Sequence, residues 1–312
     1  MKRPSRPVGR AGLVAAGGVV VAGGVLLAVH LPVQPPADRL GACLWDGLHL
    51  PFTAIVAGAG ALVARHLTGR QPRPWHLLAG GAGLAAAAEL AQPLVGRTDS
   101  LRDAFFGVCG GALAAAILAA ARSAGARRRT AGVTAALLLG AAAIPPALIL
   151  VDRTAARRDF PLLAGFENRL EMSRWEFRDC AGRRIADSAD DGRRVLEVTV
   201  TRTADFPMLA LADGLGDWAG YRALTFVAWV PGGQPIELHA RLDLPGERLR
   251  TQRRCRTSVP LSPGTNHVEL PLSDWIRAAS PATPLRPRRL TLYLRHGTAG
   301  TLFWLDDLRL VP

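Results

Sequence analysis

The stretch AAAIPPALILVDRTAARRDFPLLAGFEN, Ala141 to Asn168, divides the chain into two kinds of protein. Up to Val151 it is apolar, from Asp152 to Pro161 it is charged, and beyond Pro161 short apolar segments begin to alternate with polar ones. A long apolar run suits a bilayer-crossing helix, whereas period-2 alternation suits half-buried strands. The 312 residues therefore read as a membrane domain at 1–151, a charged linker at 152–161 and a β-domain at 162–312.

Toward the N-terminus, Ala, Gly, Leu and Val dominate, and apolar runs place five helices at about 11–31, 49–67, 75–95, 104–121 and 131–151. The first run follows Lys2, Arg3, Arg6 and Arg10, the layout of a signal peptide; its length and the four later runs favour a retained helix. Pro145-Pro146 is expected to kink the last helix, and Gly107 with Gly111 permits close helix approach.

The formal charge is +13 and the pI near 11.2, but the excess is uneven: residues 1–151 carry 14 Lys and Arg against 5 Asp and Glu, and residues 152–312 carry 24 against 20. Much of it lies in short connections between apolar runs, which is a topology signal and not a nucleic-acid patch. Basic residues gather at the N-terminus, at Arg65, Arg70 and Arg73, and at Arg122 and Arg127 to Arg129. The intervening connections mix Arg39, Arg97 and Arg102 with Asp38, Asp46, Asp99 and Asp103. Lys and Arg stay on the cytoplasmic side, so the N-terminus is expected inside and the β-domain outside.

This topology brings the polar interruptions of the membrane half to one outer surface. Asp46 and His49 are three apart, as are Glu89 and Gln92, and Arg97 and Asp103 follow at the same level. Glu89 follows four alanines near a helix C-terminus, where the dipole disfavours it, so it is read as functional or tightly paired to Arg97, Arg102 or His49. Asp46, Ser100 and Asp103 also fit helix N-caps, and Arg97 a lipid phosphate contact. As catalytic candidates, Glu89 would serve as acid or base with His49 as partner and Arg97 as anion clamp, and Asp103 would join His49 and Glu89 at a metal. The sequence holds no nucleophile motif, phosphate loop or zinc-spaced cysteine set, so the enzyme class gains nothing from motifs.

The order D-x-x-H (Asp46, His49), E-x-x-Q (Glu89, Gln92), Arg97, Ser100 and Asp103 resembles the VanZ-like family of bacterial membrane proteins over about residues 15–122. The resemblance implies a multi-pass protein of the bacterial cytoplasmic membrane with an envelope role. One position departs from the pattern, since Gly107 stands where that family usually carries Asn.

Beyond the linker, alternation marks strands at Arg194–Thr201, Tyr221–Val230, Ile236–Leu244, His267–Leu272, Arg289–Arg295 and Thr301–Val311, an all-β jelly-roll sandwich. GFEN at Gly165 to Asn168 with Trp175 after it, DWAGYRALTFVAWV from Asp217, LPLSDW ending at Trp275 and FWLDDLRL from Phe303 resemble the galactose-binding-like sandwiches of carbohydrate-binding modules. That resemblance implies a periplasmic or extracellular domain that binds a glycan or cell-wall polymer. It also implies a structural calcium with Glu167 and Asp306 as ligands, against which Asp306 can equally cap the strand or pair with an Arg.

Candidate sugar platforms are Trp175, Trp218, Tyr221, Trp229, Trp275, Tyr293 and Trp304; alternation puts Trp229 and Phe226 on opposite faces. The basic run RTQRRCR, Arg250 to Arg256, suits anionic glycans or headgroups and equally a charged edge strand. Cys180 and Cys255 either form a disulfide, worth roughly 4 kcal/mol across so long a loop, or remain two unpaired thiols.

Overall fold

A computed structural model describes residues 38–70, 72–91, 101–187, 192–245, 252–275 and 285–312. The expected first span and Gln92, Arg97, Asp99 and Ser100 lie outside these residues. The chain divides between Ala147 and Leu148 into two compact units.

The first unit is helical: α1 (Arg39–Gly47), α2 (His49–Thr68), α3 (Pro74–Ala91), α4 (Leu101–Arg122) and the start of α5 (Gly125–Asp159). Asp38 caps α1 by accepting the Gly41 N–H at 3.3 Å, and α2 stops at Gly69, whose φ of 66° favours glycine. Asp46 is therefore no N-cap: it lies near the end of α1, and α2 starts from Leu48 without a side-chain cap. Among the described residues, three stretches, Arg39–Thr68, Phe105–Arg122 and Gly125–Asp159, are long and apolar enough to cross a membrane. Ile55 and Leu137 are 70% and 68% exposed, an apolar surface that suits lipid and not water.

Helix α4 packs against both α2 and α3 through glycines. A Cβ on Gly110 would lie 2.6 Å from the Leu50 carbonyl oxygen of α2, and one on Gly111 2.8 Å from the Leu77 oxygen of α3. One on Gly107 would lie 2.5 Å from Ala85 Cβ, so an asparagine there requires the helices to part. The close approach expected from Gly107 and Gly111 is thus present, and the departure from the VanZ-like pattern has a steric reason.

Helix α5 runs through Pro145 and Pro146 and does not end at Val151. Residues 152–159, expected as a charged connection, are its last turns. DRTAARRD contains no Gly or Pro, and the helical register buries Asp152 and Ala156 in the second unit.

The second unit is a sandwich with eleven strands among the described residues. They are β1 (Leu162–Ala164), β2 (Trp175–Arg178), β3 (Cys180–Ala186), β4 (Arg194–Val200), β5 (Met208–Leu211), β6 (Ala223–Val230), β7 (Ile236–Pro245), β8 (Gln252–Leu261), β9 (Gly264–Pro271), β10 (Arg289–Leu294) and β11 (Leu302–Val311). One sheet has the order β3-β4-β11-β6-β9 with β1 also on β11, the other β2-β5-β10-β7-β8, and every pairing is antiparallel. Alternation fills the space between them: Leu196, Val198, Leu224, Phe226, Phe303 and Leu305 of the first sheet belong to one core with Leu209, Leu211, Leu238, Leu242, Leu290 and Leu292 of the second.

The last strand shows how sequence sets this parity. In FWLDDLRLV, Phe303 and Leu305 face the core, and strict alternation would send Asp307 and Arg309 after them. The register shifts between Asp306 and Arg309, where Asp307 has a φ of 54°, and Leu308 and Leu310 turn inward instead.

Candidate functional site

Among the described residues, most of the sandwich's buried side-chain polar atoms without a hydrogen bond, those of His239, Arg241, Asp243 and Arg289, belong to the outer face of the five-stranded sheet. Register lines them up in rows across the strands: Arg178, Met208, Tyr293, His239 and Ser258 in one, Glu176, Ala210, Thr291, Arg241 and Arg256 in the next. Arg289, Asp243 and Arg254 make a third. Small Ala210 and Thr291, both buried, form a low floor in the middle of the face. Over it lies a cavity of about 180 Å³ lined in part by Arg178, Met208, Arg241, Thr291 and Tyr293, and beside it one of about 390 Å³ that reaches His239, Ser258 and Arg295.

The aromatic element is Tyr293. Its ring stacks on His239 with centroids 5.0 Å apart, and Phe206 meets it edge-on at 6.1 Å. Around it the polar groups are deeply set. Asp243, 3% exposed, lies 3.1 Å from Arg241 Nε, and Arg241 Nη2 donates to Asp243 Oδ2 at 3.2 Å and to Thr291 Oγ1 at 3.4 Å. His239 Nε2 is buried without a hydrogen-bond partner among the described residues; Glu237 Oε2 is 3.5 Å away. A half-buried ring flanked by inward-set polar atoms can take a sugar, with its apolar C–H face on the ring and its hydroxyls beside it.

The sandwich resembles carbohydrate-binding modules in structure. A family 11 carbohydrate-binding module from Clostridium thermocellum, solved with a β-1,3-1,4-mixed-linked tetrasaccharide, is 16% identical; the match covers 48% of this chain and 94% of that one, with a TM-score of 0.37. A family 30 module is 18% identical over 45% of this chain and 78% of that one, with a TM-score of 0.33. A non-crystalline-cellulose-specific module of family 28 is 10% identical over 45% and 88%, with a TM-score of 0.35. No family model matches the sequence and no curated protein matches it, so the VanZ-like resemblance rests on its quoted residues alone.

Tyr293 was among the aromatic candidates, and the structure sorts the others. Trp175 and Trp218 are core residues, the latter donating its indole N–H to the Leu215 carbonyl at 2.7 Å. Tyr221 packs edge-on against Phe160 at 5.6 Å. Trp229 and Trp304 stack at 4.1 Å on the outer face of the six-stranded sheet, opposite Phe226 in the core, as alternation requires. The side chain of Trp275 is outside the described residues, as is Arg250; Arg254 and Arg256 stand on the outer face of β8, which is an edge strand.

His239, Arg241, Asp243 and Thr291 were not anticipated. Their signal is parity: in LHARLDL the polar residues that alternate with leucine and alanine can be read as solvated, and only the cross-strand register shows them converging on Tyr293.

Glu167 comes close enough to Asp306 to act on its charge. Burial, chiefly, pushes the Asp306 carboxyl up to about 6; the Asp307 backbone N–H and Arg193 oppose the rise, and the Asp307 and Glu167 charges add to it. Arg193 Nη2 donates to Asp306 Oδ2 at 2.9 Å, the Asp307 N–H donates to Oδ1 at 2.7 Å, and Glu167 Oε1 accepts from the Arg194 N–H at 3.1 Å. The GFEN turn is held by Glu171, whose Oε2 accepts from the Gly165 and Phe166 N–H groups, while Arg184 donates to the Phe166 and Glu167 carbonyls. As arranged, this donor set does not fit calcium, which takes six to eight oxygens. A guanidinium engages Asp306, and among the described residues no three His, Cys, Asp or Glu side chains converge.

Cys180 and Cys255 are not joined by a disulfide. Cys180 Sγ lies 3.0 Å from the Met208 carbonyl of β5, and Cys255 is on β8, three strand spacings or ~14 Å across that sheet, too far for a disulfide.

Of the membrane cluster, Asp46 and His49 are half-buried at the junction of α1 and α2, Glu89 lies on α3 and Asp103 on α4; the side chains of the last two are outside the described residues. The large cleft of this unit, about 850 Å³ between α2 and α3, is lined by Gly60, Ala64, Thr68, His76 and Gly83 among others, and includes neither Asp46 nor His49.

Proposed function

We propose that the chain is a multi-pass membrane protein that displays a glycan-binding sandwich, its ligand lying across the outer face of the five-stranded sheet. The observation that carries this reading is Tyr293, stacked on His239 above the Ala210 and Thr291 floor and bordered by inward-set Arg241 and Asp243. A sugar ring on Tyr293 would place its hydroxyls against groups that a plain solvated surface would not bury.

In this reading the helices anchor the sandwich in the cytoplasmic membrane of a bacterium by five spans, VanZ-like in kind, with the N-terminus inside and the sandwich in the periplasm or outside the cell. The basic connections at Arg65 to Arg73 and Arg122 to Arg129 support that orientation. The fold of the sandwich is compatible with a glycan or cell-wall polymer as ligand.

A glycan array probed with the full-length chain in nanodiscs tests the reading. Retention of at least one polysaccharide by the parent chain, and its loss on Tyr293→Ala with unfolding temperature unchanged, is the expected result. A parent chain that retains none, or a Tyr293→Ala chain that retains all, overturns it.

A further inference from the structure

We infer that the polysaccharide taken by this face is anionic, with its acidic substituents held by Arg256 together with Arg178 and Arg295. The inference rests on the reading of the face as a glycan site and adds the charge of the ligand to it.

The first ground is the lining of the two cavities over Tyr293. Arg178, Arg241, Arg256 and Arg295 contribute to them, and among the described residues no carboxylate does. Guanidinium groups only donate hydrogen bonds, so the charged part of the lining offers no acceptor. A neutral sugar presents hydroxyls that must donate as well as accept. A carboxylate, sulfate or phosphate only accepts, and the guanidinium fork matches its oxygens.

The second ground is the balance of ion pairs. Arg241 is held by Asp243, Arg254 reaches the same carboxylate at 4.0 Å, and Arg289 pairs with Glu176 at 2.5 Å. Arg178 approaches Asp179 only to 3.9 Å, and Arg256 and Arg295 have no ion-pair partner among the described residues. The surplus charge thus gathers beside the aromatic ring.

The third ground is register. Arg256 stands directly opposite Arg241 on the neighbouring strand, and like charges so placed destabilise a sheet. Protection of the β8 edge against pairing explains an exposed charge on that strand. It does not explain Arg295, just beyond β10, a central strand whose Tyr293 lines the same cavities; Arg178 stands on β2, the other edge of the sheet.

The test uses the full-length chain in nanodiscs of zwitterionic lipid. Its probes are polygalacturonate against the fully methyl-esterified polymer, and a phosphodiester-linked teichoic polymer against a neutral mixed-linked β-glucan. One acidic polymer is expected to bind about tenfold more tightly than its neutral counterpart, in keeping with charge-assisted hydrogen bonds, and to weaken as salt rises. Arg256→Gln should erase that preference. Arg183→Gln, on the outer face of the other sheet and paired with Glu197, should keep it. The acid arm that responds tells carboxylate from phosphate. Equal binding of acidic and neutral polymers overturns the inference and leaves the glycan reading standing, whereas no binding to any polymer removes both. Equal binding to duplex DNA or to phosphatidylglycerol vesicles also overturns it, since the face is then merely cationic.

Discussion

Asp152, in the last helix, and Arg174, at the entry to β2, form a buried bidentate ion pair. Arg174 Nη2 and Nε lie 2.8 and 2.9 Å from Asp152 Oδ1, and the two side chains are 5% and 1% exposed. Arg174 Nη1 also donates to the Leu163 carbonyl at 3.2 Å. Breaking such a pair from one side leaves a buried charge alone.

Asp152→Ala should therefore destabilise the sandwich by about 3–5 kcal/mol, and the double change Asp152→Leu with Arg174→Met should recover much of the loss. Urea unfolding followed by tryptophan fluorescence measures both. By the same argument a soluble fragment beginning at Leu148 should be more stable than one beginning at Phe160. Equal stability would mean that the pair has no structural role.

Asp306 gives the sandwich a pH dependence of unusual sign. Its carboxyl is raised from 3.8 to about 6 by burial, so the folded state holds a proton that the unfolded state has released. The stabilisation is fully present below about pH 4 and lost as pH rises through about 6. From this group alone the unfolding temperature should fall between pH 5 and pH 7. Asp306→Asn should flatten that part of the profile, as differential scanning fluorimetry across the range can show.

Gly107→Asn places the residue of the VanZ-like pattern where a Cβ would already meet Ala85 Cβ at 2.5 Å. Overpacking of this kind costs about 1–3 kcal/mol. The loss, read by thermal unfolding in detergent, should shrink when Ala85→Gly is added.

The cysteines give a simple chemical contrast. Burial pushes the Cys180 thiol up, and its Sγ–H donates to the Met208 carbonyl at 3.0 Å, whereas Cys255 is only partly buried on an edge strand. Maleimide should label Cys255 before Cys180 at neutral pH, and mild oxidant should not join them.

What the sequence conveyed, and what it did not, follows from the range of the forces involved. Hydrophobic runs and period-2 alternation are local, so the helical half and the strands built on RVLEVTV, ALTFVAWV and RLTLYL were legible. Strand β8, with its QRRC start and Pro260, and β3, with Gly182 and two arginines, lack that alternation and are strands because their neighbours pair with them. The end of α5 was misjudged because a buried aspartate looks like a linker charge until Arg174 is found beside it, 22 residues on. The groove followed the same rule: Tyr293 was visible as an aromatic, while its partners His239 and Arg241 needed the β7 to β10 register.

The bulge at Asp307 has a genetic corollary. The residue contributes no side chain to the core, yet it offsets the two halves of FWLDDLRLV by one position. Deleting it would act on Leu308 and Leu310 as a lost nucleotide acts on downstream codons, presenting the right letters in the wrong phase, whereas replacing it with glycine would keep the phase and ease the φ of 54°. In a collection of homologous sequences, that position would tolerate substitution and resist deletion.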